Sequence, residues 1–198
     1  DRVTAFAEHM GCEVLICINK SDAARVSRLR DIYATSGYRV IETSAVTGEG
    51  VEELRCCIAG KVCAFSGNSG VGKSSLLNAL EPGLGLETGV VSEKLGRGRH
   101  TTRHVEIFPA GGAFVADTPG FASFDMEQLP PIPKEELQFC LPEFGPYIGK
   151  CRFDDCAHLK EPGCAVREAM DEGKINASRH LSYARLYEIS AKYKEWKK

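Results

Sequence analysis

Three sets of residues in this chain have the types and spacing to do chemistry. The segment Gly67-Asn68-Ser69-Gly70-Val71-Gly72-Lys73-Ser74 carries the glycine spacing of a loop whose backbone N–H groups close around phosphate. In such a loop Lys73 reaches the β- and γ-phosphates and the Ser74 hydroxyl ligates Mg2+. A glycine-rich turn capped by serine is the bland alternative, and the apolar run before the loop and the helical pattern after it argue against it. Asp117-Thr118-Pro119-Gly120 adds a carboxylate near that metal and the Gly120 N–H for a γ-phosphate. Alone it would equally make a turn; placed after a phosphate loop, it reads as part of the same site. The third set is Asn19-Lys20-Ser21-Asp22 with Ser44-Ala45. Guanine presents two adjacent donors that one carboxylate, Asp22, can accept together, whereas adenine presents an acceptor there and is rejected. The Ala45 region supplies a backbone donor for the guanine oxygen. An Asn-Lys-x-Asp tetrapeptide is otherwise a common helix N-cap, but this one follows an apolar strand and precedes Ser-Ala by 22 residues.

A metal centre is predicted further on. Cys151-x4-Cys156-x-His158-x5-Cys164 offers three thiolates and one imidazole, the donor set of one structural zinc ion in tetrahedral geometry. The interleaved Asp154, Asp155, Lys160 and Glu161 make the segment too polar to be a buried cysteine core. Cys140 lies outside the spacing and is expected to pack. From Asn176 to Lys198 six Lys/Arg face two Asp/Glu, with Tyr183, Tyr187, Tyr193 and Trp196 among them. That mixture suits RNA, and a solvated amphipathic helix suits the composition equally well.

The hydrolytic group is less defined. Where a ras-like GTPase has glutamine after Asp-x-x-Gly, this chain has Phe121, which cannot orient water. The candidate is His100, in Gly96-Arg97-Gly98-Arg99-His100-Thr101-Thr102-Arg103, with Thr102 completing Mg2+ coordination. A solvent-exposed loop histidine is an equally good reading of His100.

The elements that must hold these groups read as a P-loop α/β fold. Strands are expected at Val14–Ile18, Tyr38–Ile41, Lys61–Ser66, His104–Phe108 and Ala113–Ala116. Helices are expected over 23–35, Val51–Ile58, Lys73–Leu80 and Asn176–Trp196, with a glycine-rich mobile loop over 81–103. The alternation of strand and helix argues for a parallel sheet. Pro130, Pro131 and Pro133 mark a linker, so the domains are read as 1–127, the nucleotide domain, and 128–198, the zinc-knuckle and basic helical domain. A 198-residue chain with 43% hydrophobic and 26% charged residues is ordinary for a folded protein. Its net charge of −2 gives no global push toward nucleic acid, no apolar run is long enough for a membrane helix, and the nine cysteines fit a reducing cytoplasm.

The order of the sets is the remaining clue: base reader first, phosphate loop second, Asp-Thr-Pro-Gly third. An ordinary GTPase runs from phosphate loop to base reader. With that order, the Gly-Arg-His-Thr-Thr segment and the Cys-x4-Cys-x-His-x5-Cys knuckle, the chain resembles the RsgA (YjeQ/EngC) family of circularly permuted GTPases over its whole length. The resemblance implies a cytoplasmic, monomeric GTP hydrolase of late 30S ribosomal subunit maturation that binds GTP or GDP and 16S rRNA and no membrane. It implies guanine recognition by Asn19, Lys20 and Asp22, phosphate and Mg2+ binding over Gly67 to Ser75, including Ser75, water orientation by His100, and zinc at Cys151, Cys156, His158 and Cys164. The family also has an N-terminal OB-fold barrel and one further sheet strand without counterparts here, so the GTPase domain is read as N-terminally incomplete. A nucleotide-gated RNA-binding module in which hydrolysis is incidental is the alternative, and a zinc-stabilised P-loop kinase or ATPase a weaker one.

Overall fold

The structure, a computed structural model, describes residues 1–23, 26–86, 106–117 and 130–192. In chain order the elements are α1 (Arg2–His9), β1 (Leu15–Asn19), α2 (Ser27–Tyr33), β2 (Arg39–Thr43), α3 (Val51–Ile58), β3 (Val62–Cys63), α4 (Lys73–Leu80), β4 (Glu106–Ala110), β5 (Ala113–Asp117), α5 (Ala165–Asp171) and α6 (Ala177–Lys192). Short 3₁₀ turns cover Pro82–Leu84, Leu137–Cys140 and Pro142–Tyr147. No helix among the described residues is long and apolar enough to cross a membrane.

The chain packs as two units. One holds Asp1–Ile16, Ser27–Val40 and the chain from Pro130; the other holds Cys17–Val26 and the chain from Ile41 up to the linker. These packing units do not follow the chain order, because α1 and α2 belong with the C-terminal unit.

In the unit that carries the phosphate loop, local sequence explains the helices. Gly50 precedes α3 in the left-handed region (φ 69°), and a Cβ there would run into the Glu42 carbonyl oxygen, so glycine is required. Glu52 and Glu53 then occupy the first turn, where carboxylates favour the helix dipole, and Val51, Leu54 and Ile58 form the buried stripe. In α4 the buried residues are Leu76, Leu77 and Leu80. Beside them Leu77, Ala110 and Val115 form a small core, flanked by Cys63, Phe65 and Phe108.

The sheets correct three expectations. β1 and β2 pair as one sheet, and β3, β5 and β4 form another in that order. β3 runs parallel to β5, with Val62 opposite Phe114. β4 runs antiparallel to β5, with Ala110 opposite Ala113, so this sheet is mixed rather than parallel. The cause is the two-residue turn Gly111-Gly112, both with positive φ (59° and 80°), which closes a tight hairpin. β4 also ends two residues later than expected and includes Pro109, tolerated because, among the described residues, β4 pairs with β5 alone and its outer N–H positions need no ladder bond. The strand expected over Lys61–Ser66 is regular only at Val62–Cys63, where it pairs with Phe114 and Val115 of β5.

In the C-terminal unit the core is Leu137, Cys140, Leu141, Phe144, Val166, Ala169, Ile175 and Tyr183, with Ala5 from α1. Cys140 packs there, as its spacing led one to expect. α6 buries a face other than its apolar stripe. Leu181 and Ile189 are 50% and 47% exposed, whereas Arg179, His180 and Tyr183 are buried. Tyr193 and Trp196 lie outside the described residues.

Candidate functional site

β1 delivers Asn19 at its last position, and Asn19 gathers three of the motifs predicted from sequence. Its Nδ2 donates to the Val71 carbonyl at 3.0 Å and approaches that of Gly72 at 3.5 Å. Its Oδ1 accepts from the Ala45 N–H and the Thr43 hydroxyl, each at 3.3 Å. One amide thus bonds the base reader to the phosphate loop and to the Ser44-Ala45 turn. Gly72 makes the approach possible: it has φ 93°, and an added Cβ would collide with the Asn19 amide nitrogen.

Lys20 sits in the left-handed region (φ 68°) and its Nζ donates to the Gly70 carbonyl at 2.7 Å. Backbone strain at a non-glycine residue is tolerated where surrounding bonds fix it. The Asp22 carboxylate accepts from the Ser44 hydroxyl at 2.6 Å, which orients it while leaving lone pairs for a ligand. Ser44 is itself buried, and its Oγ accepts from Val46 N–H (3.3 Å) and Thr47 N–H (3.1 Å). Ser21 donates its hydroxyl to Glu49 at 3.0 Å, in the turn before α3.

Around the phosphate loop, Asn68, Ser69, Gly70 and Val71 are exposed, and Ser74 and Ser75 lie half-buried in the first turn of α4. The Lys73 ammonium donates to the carbonyls of Gly67 (2.5 Å) and Asn68 (3.0 Å), and burial lowers its pKa from the ordinary lysine value. A partly desolvated cation held by neutral carbonyls is available to a stronger anionic acceptor. Asp117 ends β5 opposite Glu106; its side chain and Thr118, Pro119, Gly120, Phe121, His100 and Thr102 lie outside the described residues. Of the two Mg2+ ligands predicted from sequence, Ser74 falls among the described residues, and its hydroxyl beside Lys73 at the start of α4 fits that ion's preference for oxygen.

The second centre is fully described. The ligand atoms of Cys151, Cys156, His158 and Cys164 all lie within 4.8 Å of one another. The Cys151 and Cys164 sulfurs are 3.9 Å apart, and His158 Nδ1 is 3.5 and 3.4 Å from them. With Zn–S about 2.3 Å and Zn–N about 2.0–2.1 Å, a tetrahedron requires about 3.8 Å between sulfurs and about 3.5 Å from nitrogen to sulfur. The donor set therefore fits a tetrahedral divalent ion. Burial and the two neighbouring thiols, against a main-chain bond at His158, push the Cys156 thiol up to about 12, and burial also raises Cys164. Burial lowers His158, keeping the imidazole neutral. Such thiols become anionic most readily against a bound cation.

Several groups support this centre and its unit, one through bonds within the ligand loop and others through partners far apart in the chain. The Glu161 carboxylate accepts from the N–H groups of Ala157 (3.2 Å), Leu159 (2.8 Å) and Lys160 (3.0 Å), closing the loop between ligands. Tyr183 donates its hydroxyl to the Ala157 carbonyl at 2.9 Å. Arg179, 1% exposed, pairs with Glu143 (2.7 and 3.2 Å) and Asp1 (2.6 Å), with its guanidinium about equally distant from the rings of Tyr33 (5.4 Å) and Tyr38 (5.5 Å). The sole sequence signal for any of these is the acidic residue between the last two ligands.

Known proteins resemble the chain in both sequence and fold. A family model described as RsgA GTPase matches residues 1–127. The chain is 47% identical over 190 residues to the small ribosomal subunit biogenesis GTPase RsgA of Caldanaerobacter subterraneus, covering 94% of this chain and 63% of that protein. It is 48% identical over 187 residues to the protein of the same name from Moorella thermoacetica, covering 92% and 63%. YjeQ from Thermotoga maritima superposes with TM-score 0.78 at 37% identity, over 98% of this chain and 65% of that one. YloQ, described as a circularly permuted GTPase, gives TM-score 0.74 at 30% identity, over 99% and 63%. The chain thus spans somewhat under two thirds of the length of the relatives it matches. On the family match and these identities, the chain belongs to the RsgA GTPase family.

Proposed function

We propose that this chain is the nucleotide-binding and zinc-bearing part of a GTP hydrolase that acts in late maturation of the small ribosomal subunit. The observation that carries the reading is the Asn19 side chain, which bonds the base reader both to the phosphate loop and to the Ser44-Ala45 turn across more than fifty and more than twenty residues of chain. Two motifs that far apart converge through one amide when they serve one ligand.

In this reading Asp22, oriented by Ser44, accepts the two donors of guanine, and Ala45 N–H serves the guanine oxygen. Asn19, Lys20 and Ser21 set the shape of that pocket; Gly67, Asn68, Ser69, Gly70, Val71 and Gly72 present backbone N–H groups to the phosphates. Lys73 exchanges its loop carbonyls for the β- and γ-phosphates. Ser74 and Thr102 would hold Mg2+, which when bound neutralises phosphate charge; Ser75, Asp117 and Gly120 would serve the same phosphates and ion. His100 orients the attacking water in place of the glutamine that Phe121 replaces. Cys151, Cys156, His158 and Cys164 hold one structural zinc ion, and all four positions are filled by protein, leaving none for a reacting water. Residues 1–127 form the nucleotide domain and 128–198 the zinc-knuckle appendage, which contacts rRNA of the 30S subunit. The protein works as a monomer in the cytoplasm.

The test is GTP turnover with and without purified small ribosomal subunits, on this chain and on a version extended at its N-terminus. Slow turnover accelerated by subunits in the extended protein is expected. Equal turnover in both conditions contradicts the reading.

A further inference from the structure

The metal centre depends on a histidine that could ligate through either ring nitrogen, and the surroundings decide which. His158 Nε2 lies 2.9 Å from Gln138 Oε1. Gln138 could in principle present either end of its amide, but its Nε2 faces the Glu135 carbonyl at 3.3 Å. A carbonyl oxygen can only accept, so the amide nitrogen belongs at Glu135 and the amide oxygen at His158. The proton of His158 must then sit on Nε2. Nδ1 is left with a bare lone pair directed at the Cys151 and Cys164 sulfurs, 3.5 and 3.4 Å away.

The backbone of His158 is fixed as well. It has φ 58°, a left-handed conformation that is strained for a residue bearing a Cβ. The His158 carbonyl accepts from His180 Nε2 on α6 at 2.7 Å, and the preceding carbonyl, that of Ala157, accepts from Tyr183 one helical turn on. His180 is buried, so this bond is shielded from water. The His158 ring also meets the edge of Phe144, with centroids 6.2 Å apart at 82°.

We propose that Gln138 and His180 are the positioning residues of the metal centre: Gln138 selects the nitrogen that His158 offers, and His180 holds the strained main chain that aims it. Outer partners of ligating histidines commonly set metal affinity in this manner. The inference rests on the reading of Cys151, Cys156, His158 and Cys164 as a metal centre. A consequence is that α6 is docked onto the ligand loop itself rather than beside it.

The test uses the whole chain with zinc and cobalt(II) as probes. Zinc affinity is measured by competition with a chromophoric chelator, and the cobalt(II) absorption spectrum reports the ligand field. Gln138→Leu is expected to lose about 10–100-fold in zinc affinity and to alter the cobalt spectrum. Gln138→Glu keeps an acceptor toward Nε2 and is expected to retain wild-type affinity or exceed it. His180→Phe is expected to weaken zinc binding, and His180→Gln, which keeps a donor, to restore it. Wild-type affinity and spectrum in both Gln138→Leu and His180→Phe would overturn the inference while leaving the metal reading intact. So would a fall in Gln138→Glu to the level of Gln138→Leu, a result that stands even if the leucine variant folds poorly. Failure of the unaltered chain to bind zinc, or equal binding by Cys156→Ser, overturns the metal reading instead.

Discussion

Around Cys151, Cys156, His158 and Cys164 the donor atoms lie within 4.8 Å of one another, with those of Cys151, His158 and Cys164 at the separations a tetrahedral ion needs, whereas around Gly67–Lys73 the ligand-seeking ammonium is bonded to its own loop. The first set is walled by Phe144, Tyr183 and His180, with two of its four ligands buried. The second is lined by exposed residues, with the Asn19 amide and the Lys20 and Lys73 ammonium groups bonded to its carbonyls. A buried donor set suits a permanent guest whose binding energy is folding energy. An exposed loop suits a guest that comes and goes, because water can serve its polar groups in the guest's place.

The largest test of this contrast is metal removal. Chelation is expected to destabilise the unit containing α5 and α6 by several kcal/mol, read as loss of helicity and a lower melting temperature. GDP affinity should stay within about threefold, by calorimetry, since the phosphate loop belongs to the other unit. Equal loss of both would break the contrast.

Next in size is Arg179→Ala, which strands the buried Glu143 carboxylate and removes the bond to Asp1. Breaking a buried pair from one side costs about 3–5 kcal/mol, here measurable by urea unfolding. Arg179→Met combined with Glu143→Leu should recover much of that loss, because the pair's burial is itself costly. A cost below about 1 kcal/mol for Arg179→Ala would show that the cluster is not a stabilising hub.

Gly72→Ala sharpens the other side. The new Cβ meets the Asn19 amide and the backbone is at φ 93°, so stability should fall by about 1–3 kcal/mol. GDP affinity should fall with it, by tenfold or more, because both motifs shift. Unchanged affinity would separate the base reader from the phosphate loop.

How far the chain declares this arrangement differs between the two centres. All four metal ligands were legible because their spacing lies within fourteen residues, and α3 and α4 were legible because Val51, Leu54 and Ile58, and Leu76, Leu77 and Leu80, keep helical period between clear glycine starts. The converging base reader and phosphate loop were legible as motifs, but the Asn19 bond that joins them was not. Gln138, His180, Glu143 and Arg179 carry no local signal, since each acts on a partner at least 20 residues away. In α6 Leu181 and Ile189 face outward, while Arg179 and His180 turn inward beside Tyr183 to bond Glu143 and the knuckle. β4 ends later than expected, and its sheet is mixed rather than parallel, because Gly111-Gly112 makes a tight hairpin that strand periodicity does not show. The positions of His100, Thr102 and Gly120 lie outside the described residues, and their roles rest on motif alone.

The smallest effect expected is at Glu161. Burial pushes its carboxyl up, but the N–H donors of Glu161, Lys160, Leu159 and Ala157 outweigh that and hold it below the ordinary glutamate value. A depressed folded-state pKa contributes stability above the unfolded value of 4.5 that disappears as pH falls through the folded value. Glu161→Gln should therefore cost no more than about 1 kcal/mol at neutral pH, given its partial exposure to solvent, with the difference from the parent shrinking below pH 4.5. A difference independent of pH would assign the effect to packing.

The central claim is that the base reader and phosphate loop form one guanine-nucleotide site. Calorimetric titration of the chain with GDP and with ADP tests it directly. The account predicts GDP binding at least about 100-fold tighter than ADP, with the preference abolished in Asp22→Ala. Comparable affinities for the two nucleotides in the unaltered chain would contradict it.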